Sequence, residues 1–512
     1  MGIFGGANAK YKAAPPTIRR EKVVVQPKPK PRPANGTSSS ASTTPVANGR
    51  RLTHLSRTTS ASSSPTGAAA RRSLAPPSGA SYARSKSGSP YPSSADERSR
   101  KRKVIVSTPR DSPAFDDDSS DDGADDDDPF SSARSNHKRI RPNGLRTDIN
   151  RKLRHKKAFG DDVRELKLVH GADVASIKKG CDPIFGARED EVAIELQYPS
   201  NCKPEKYELV WRKDFLNSVK DIIEVVHHVG HTYVADDDAT AFIGLNGGFH
   251  RQLERSSSDN FGNVTDFKTA VQGYNAKILE LVRNGTIAKN LDQLHHLPPS
   301  LVTFILTQVY DRIVAPKVEI LKKYTMGSDN VYGELMHDFI HRILIEQAKM
   351  TSDQVFVDLG SGVGNVVLQA ALEVGCNSYG FEMMENACDL AEEQEREFRN
   401  RCLLWGIAPG RVSLERGDFT KNDKVPQVLK KADVVLVNNK AFTSTLNDHL
   451  VSMFLDLKPG CKIISLKNFV HDNKAATNSV ANNILDVEQF RYHEGWVSWG
   501  ASGGDYFVST KK

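Results

Sequence analysis

Read for its apolar positions, the chain changes character near residue 158. Residues 1–157 show almost no periodic apolar spacing and are dominated by Ser, Pro, Ala, Gly and Arg, with runs such as Ser38-Ser-Ser-Ala-Ser-Thr-Thr-Pro45. Too little surface can be buried there to offset chain entropy, so an extended, disordered arm is expected. Leu216–His227, Phe267–Val282 and Leu301–Ile313 then carry apolar residues at helical spacing, with Pro298-Pro299 marking a turn before the last. These predict a mainly helical lobe over 158–323.

From residue 324 the period changes. A connecting element, Tyr324–Glu334, runs into a helix expected over Leu335–Lys349 and reads as a candidate lid or a helix cap. Short apolar runs then alternate with helical patterns: strands at Val355–Val357, Ser378–Glu382, Val412–Arg416, Val434–Val437 and Lys462–Leu466, and helices over Glu385–Leu404 and Leu446–Leu455. A final strand pair is placed near Glu488–Tyr492 and Tyr506–Ser509. Alternation of this kind predicts an α/β domain over 324–512 with a doubly wound, mostly parallel sheet, whose ligand face lies at the carboxyl ends of the strands.

One of those strand ends carries the most specific chemistry. Phe356, Val357, Asp358 and Leu359 lead into Gly360, Ser361, Gly362, Val363, Gly364 and Asn365, a glycine-alternating strand-to-helix turn where a ligand can approach the backbone. The dinucleotide fingerprint asks for a third glycine at the sixth position, where Asn365 stands, so the spacing suits S-adenosylmethionine better than a pyrophosphate. Another nucleotide or a plain structural turn stays open at this point. Glu382 ends the next strand, about 20 residues beyond the loop, where a carboxylate can take two ribose hydroxyls. Asp418 and Phe419 can meet an adenine amino group and ring. Asn438 ends a further strand.

Charge sharpens the division. Residues 1–157 hold 31 basic against 14 acidic residues, a net +17, whereas 158–512 hold 39 against 49, a net −10. Such an arm is expected to hold a polyanion such as DNA through salt-sensitive contacts, or else serves only to solubilise. Arg98–Lys103 and His137–Arg141 are candidate nuclear import signals, and Asp116–Asp128 is a self-repelling acidic block, either a plain solvated run or one that binds histone-like basic surfaces or folds back on the arm. Arg151–Lys157 is a basic stretch at the edge of the folded part. No run of about 18 apolar residues and no signal-like N-terminus occurs, so an intracellular protein with no membrane span is expected. The six cysteines form no Cys-x-x-Cys pair, and His227, His228, His231, His295 and His296 lack partners at ligand spacing, so no metal site is assigned.

Six motifs together resemble one family. Tyr332-Gly-Glu334, Phe356–Asn365, Tyr379-Gly-Phe-Glu-Met-Met384, Gly417-Asp-Phe419, Val437-Asn-Asn439 and Val497-Ser-Trp499 follow the order and spacing of the disruptor-of-telomeric-silencing family of non-SET histone lysine methyltransferases, over about 180–512. The resemblance implies a seven-strand-type, S-adenosylmethionine-dependent enzyme, a monomer acting in the nucleus on a lysine in the globular core of histone H3 in nucleosomes, within telomeric silencing and the DNA damage checkpoint. It implies donor contacts from Tyr332, Gly333, Glu334 and Leu335, from the Phe356–Asn365 turn, and from Glu382, Asp418 and Phe419. Asn438 would lie beside the transfer site and Tyr506 would wall the lysine channel. Lys440 stands where many members carry an aromatic, and Phe507 where some carry a second tyrosine. A nucleic-acid amino methyltransferase or a non-catalytic chromatin scaffold is the alternative; the first usually follows its Asn with two prolines, which Asn438-Asn-Lys-Ala lacks.

Overall fold

The structure is a computed structural model that describes residues 148–160, 164–258, 260–323, 332–470 and 479–512. The acidic block, both import-signal candidates and Tyr324–Val331 of the connecting element lie outside these residues. Everything described falls within one compact unit.

The N-terminal part is mainly helical but carries two small antiparallel pairs. Strands β1 (Asp182–Pro183) and β4 (Val210–Trp211) form one, and β2 (Ala193–Leu196) and β3 (Glu205–Glu208) the other. The helices are α1 (Gly171–Val174), α2 (Ser218–Thr232), α3 (Asp236–Ile243), α4 (Phe249–Ser256), α5 (Val264–Arg283), α6 (Thr286–Gln293) and α7 (Pro299–Ile313). Asn217 and Asn263 cap α2 and α5 by accepting from amides in the first turn, and Pro299 opens α7 where its missing N–H costs nothing.

The C-terminal part is a seven-stranded sheet built from β5 (Val355–Leu359), β6 (Asn377–Glu382), β7 (Val412–Arg416), β8 (Val434–Val437), β9 (Lys462–Ser465), β10 (Leu485–Tyr492) and β11 (Gly504–Lys511). Its order is β10-β11-β9-β8-β5-β6-β7. The five strands from β9 to β7 are parallel, and β11 and β10 add an antiparallel hairpin at one edge. Helices α8 (His337–His341), α9 (Asn365–Gln369), α10 (Glu385–Leu404), α11 (Lys424–Leu429), α12 (Ser444–Met453) and α13 (Val480–Ile484) complete the set. The helix expected over Leu335–Lys349 is shorter: α8 gives way to a wider, π-helical turn over Arg342–Gln347.

Both faces of the sheet are covered, as a near-continuous apolar strand requires. Along β5, Phe356 joins a core shared with α7, α9 and the N-terminal helices, while Val357 and Leu359 join the opposite core with Leu450 and Phe454. The expected boundary at 323/324 therefore does not separate two cores. Likewise the boundary at 157/158 falls too late. Arg151 is 5% exposed and donates to the Leu372 carbonyl at 3.2 Å, and Leu153 is buried, so part of the basic stretch is docked rather than free for phosphate.

A buried ionic network ties the two halves together. Glu205 on β3 accepts from Arg312 Nε on α7 at 3.0 Å and pairs with Arg401 on α10, while Arg312 also meets Asp221 on α2 at 2.6 Å. Arg401 meets Glu397 at 2.7 Å, and the Tyr207 hydroxyl lies 2.8 Å from Asp221 and 3.0 Å from Glu205. Every one of these side chains is nearly excluded from solvent. In low dielectric such charges are tolerated only because each has partners and hydrogen bonds.

Candidate active site

An open cleft of about 390 Å³ lies at the carboxyl ends of the parallel strands, within the size range of small-molecule sites. Asp358 comes from β5 and Gly360 follows it, Glu382 comes from β6, Asp418 and Phe419 from the turn after β7, and Leu436 from β8 with Asn438 directly after it. Sheet topology alone brings these together, because parallel strands end on one side.

The glycine loop is shaped by its backbone. Gly362 has φ +56° and Gly364 φ +92°, and a Cβ at Gly364 would sit 2.8 Å from a Leu414 methyl. These angles belong to glycine. Glu382 braces the loop from the neighbouring strand: Gly362 N–H donates to its Oε2 at 2.9 Å, and Met383 and Met384 N–H donate to its Oε1 at 2.9 and 2.8 Å. Asp358 is 3% exposed, and burial, then the neighbouring Glu382, pushes its carboxyl up to about 8. Asp418 is held below its ordinary value: burial opposes this, but Thr420 donates twice to its Oδ1 and Lys421 sits 2.9 Å from Oδ2.

The Tyr332–Leu335 segment forms the opposite rim. Leu335 bridges Val497, Ser498 Oγ accepts from Glu334 N–H at 2.9 Å, and the missing side chain of Gly333 leaves room for Trp499, whose ring would lie 2.5 Å from a Cβ. The buried Glu334 carboxylate accepts from Tyr310, Tyr332 and Asn365, and burial nonetheless raises its pKa. Asn438 Nδ2 donates to Gly333 O at 3.3 Å, which closes the rim against β8. Its neighbour Asn439 is fully buried and structural, accepting from Leu466 and Lys467 N–H at 2.9 and 2.8 Å.

Of the residues expected at the donor site, Tyr332, Gly333, Glu334, Leu335, Asp358, Gly360, Ser361, Gly362, Val363, Asn365, Glu382, Asp418 and Phe419 line the cleft, as does Asn438. Phe356, Val357, Leu359 and Gly364 do not: the first three alternate into the two cores, and Gly364 packs on Leu414. Tyr506 requires a larger correction. Its register opposite Phe490 on the hairpin turns the ring into the core, edge-on to Phe339 and stacked on Phe490, with 0% exposure, so it walls no channel in this structure. Sequence reasoning placed the Asn438–Phe442 segment at this face but gave no site role to Phe442, Met383, Thr420 or Leu446, which also line the cleft. Phe442 stacks against Phe419 with centroids 6.3 Å apart, and its only signal was an aromatic four residues past a strand-end Asn. Lys440 is exposed and absent from the lining.

Comparison with known proteins bears on this arrangement. The family described as "Histone methylation protein DOT1" matches residues 310–511. A protein of Gibberella zeae named "Histone-lysine N-methyltransferase, H3 lysine-79 specific" is 52% identical over the whole of both chains. The chain belongs to the DOT1 family. Proteins of the same name from Chaetomium globosum and Aspergillus fumigatus are 55% and 47% identical, each match covering 71% of this chain and 71% and 74% of the relative. Among solved structures, similarity extends to an RNA methyltransferase from Salinibacter ruber in complex with S-adenosyl-L-homocysteine (20% identity, 34% of this chain and 90% of that one, TM-score 0.24). A putative O-methyltransferase from Klebsiella pneumoniae is also similar (11% identity, 41% and 90%, TM-score 0.26). As a DOT1 protein, the chain is a histone methyltransferase that takes its methyl group from S-adenosylmethionine.

The cleft fits that donor. It offers carboxyl groups at three strand ends, an aromatic pair beside one of them and a loop whose glycines leave the backbone open, a set matched to an amine, a ribose and an adenine.

Proposed function

We propose that this DOT1 enzyme methylates histone H3 in its globular core, at the lysine that its relatives' name numbers 79, on assembled nucleosomes in the nucleus, with the basic arm holding DNA. The observation that carries this reading is the 52% identity to a protein of that specificity over both full lengths, arm included. The enzyme acts as a monomer in chromatin regulation and telomeric silencing. When bound, the donor supplies an electrophilic methyl on a good leaving group, so the protein's task is alignment and desolvation.

Glu382 takes the ribose hydroxyls, Asp418 the adenine amino group and the Phe419–Phe442 pair the ring, while Asp358 faces the amino-acid portion. Asn438 orients the incoming amine through its amide oxygen, since the bond from Nδ2 to Gly333 O fixes which way the amide is turned. Removing water from around the lysine lowers its pKa and frees the lone pair, without a dedicated base.

The test is labelled methyl transfer to nucleosomes, free core histones, naked DNA and RNA in parallel. Label is expected on H3 in nucleosomes; label on nucleic acid would replace this reading with a base methyltransferase, and no label despite donor binding would favour a scaffold. Asp358 gives a second expectation. Ligand-free, its carboxyl is largely protonated below about 8. A cationic amine favours the ionised form, so binding must release a proton at pH 7. The affinity for S-adenosylhomocysteine should therefore rise from pH 6 to 8 and level off above. Calorimetric heats at pH 7 that are the same in buffers of different ionisation enthalpy would remove Asp358 from this role.

A further inference from the structure

The glycine loop is held from behind by a side chain that no sequence motif marks. Gln394, midway along α10, is 1% exposed and does not line the cleft. Its Nε2 donates to Val363 O at 2.8 Å and to Asn365 Oδ1 at 3.0 Å. A main-chain carbonyl only accepts, so the amide must present its nitrogen here and its oxygen elsewhere. Asn365 passes the constraint on, donating through Nδ2 to Glu334 Oε1 at 3.1 Å. A chain of bonds thus runs from α10 through the loop to the opposite rim, joining the two sides of the cleft.

Gln394 Oε1 is buried with no donor among the described residues. Together with Tyr310, His337 and Asn365, Gln394 lines a second cavity of about 10 Å³, the room of one water. Buried amide oxygens are normally satisfied, and a water is the donor that fits this space.

We infer that Gln394 is the positioning residue of the donor loop, completed by one buried water on its Oε1, and that it sets the loop before the donor arrives; this rests on the cleft being the donor site. A side chain that merely filled space could be exchanged for an apolar one of equal length without consequence for the loop. Gln394→Met is that exchange, keeping length and volume while removing both donor and acceptor.

The experiment uses the full chain with S-adenosylhomocysteine as the probe. In Gln394→Met, amide hydrogen exchange of Gly360–Asn365 without ligand should quicken about tenfold and the calorimetric Kd should weaken about five- to tenfold. The KM for S-adenosylmethionine should rise while kcat stays within about twofold, because Gln394 touches neither reactant. Loop exchange and Kd equal to the parent's would overturn the inference, and Gln394→Leu repeats the comparison should the Met variant fail to fold. A crystal structure of the parent should show an ordered water within hydrogen-bond distance of Gln394 Oε1; a dry cavity there would overturn the water. If the parent itself does not bind the probe, the donor reading fails, whereas loop exchange in the ligand-free chain still decides the role of Gln394.

Discussion

Glu205→Gln should be the most destabilising single-atom-scale change in this protein, lowering the unfolding free energy by about 3 kcal/mol or more. The side chain is fully buried between Arg312 and Arg401, and neutralising it leaves two guanidinium groups in low dielectric with one carboxylate partner each, Asp221 and Glu397. Urea unfolding of the full chain at neutral pH measures the loss, with Arg154→Met as the contrast: that partly exposed arginine pairs with Asp292, and its removal should cost no more than about 1 kcal/mol. The sign of the pH dependence follows. Burial opposes ionisation of Glu205, but the two arginines outweigh it and bring the carboxyl down to about 2. A folded-state pKa below the unfolded one gives stability that is complete above about 4.5 and is lost as pH falls towards 2. The parent should therefore lose stability through that window, and the Gln variant should show a shallower fall. Equal urea midpoints for Glu205→Gln and the parent would mean that the network contributes nothing net.

That network also bears on the site. Arg312 and Tyr310 share α7, and Tyr310 donates to Glu334 on the cleft rim at 3.2 Å, while Arg401 shares α10 with Gln394. The helices clamped by buried charge are the helices that hold the donor loop and its rim. Loosening the clamp should weaken donor binding as well as stability.

Much of this was legible in the sequence, for reasons that differ by element. Strands buried on both faces read as unbroken apolar runs, so β8 falls where the pattern puts it, and α10 spans the residues its charged helical spacing marks. Strand-end chemistry was legible too: Asp358, Glu382, Asp418 and Asn438 reach one cleft because a parallel sheet places strand ends on one side. Short elements were not: α3, α4 and α6 are too brief to show a clear period, and the β1–β4 and β2–β3 pairs depend on partners that lie further along the chain. The Tyr506 expectation failed for a related reason. Whether a residue on a hairpin faces a channel or the core depends on register, and a one-residue shift exchanges the faces. Gln394 lay hidden because a polar residue in a charged helix reads as surface, and only the fold reveals that its turn of α10 is buried.

The glycine loop separates effects on function from effects on fold. Gly362→Arg should abolish methyl transfer and weaken S-adenosylhomocysteine binding by at least about a hundredfold, with only about 1–2 kcal/mol lost in stability. The angle at Gly362 is left-handed, φ +56°, which accounts for the modest stability cost. The atoms nearest to a Cβ there belong to the Tyr332 ring, at 3.0 Å, on the rim of the cleft, so the longer side chain is directed among donor-lining residues rather than into a core. Two residues on, the balance reverses. Gly364 is buried, has φ +92°, and its Cβ would press on Leu414 Cδ1 and Cδ2 at 2.8 and 3.1 Å, so Gly364→Val should lower stability by about 2–4 kcal/mol as well as distort the loop. Urea unfolding beside calorimetry distinguishes the pair: Gly362→Arg should be folded and unable to bind, Gly364→Val unfolded at parent-stable urea concentrations. A Gly362→Arg protein that binds the ligand and transfers methyl would show that the donor does not lie along this loop, and the assignments of Glu382 and Asp358, which brace and adjoin it, would fall with it.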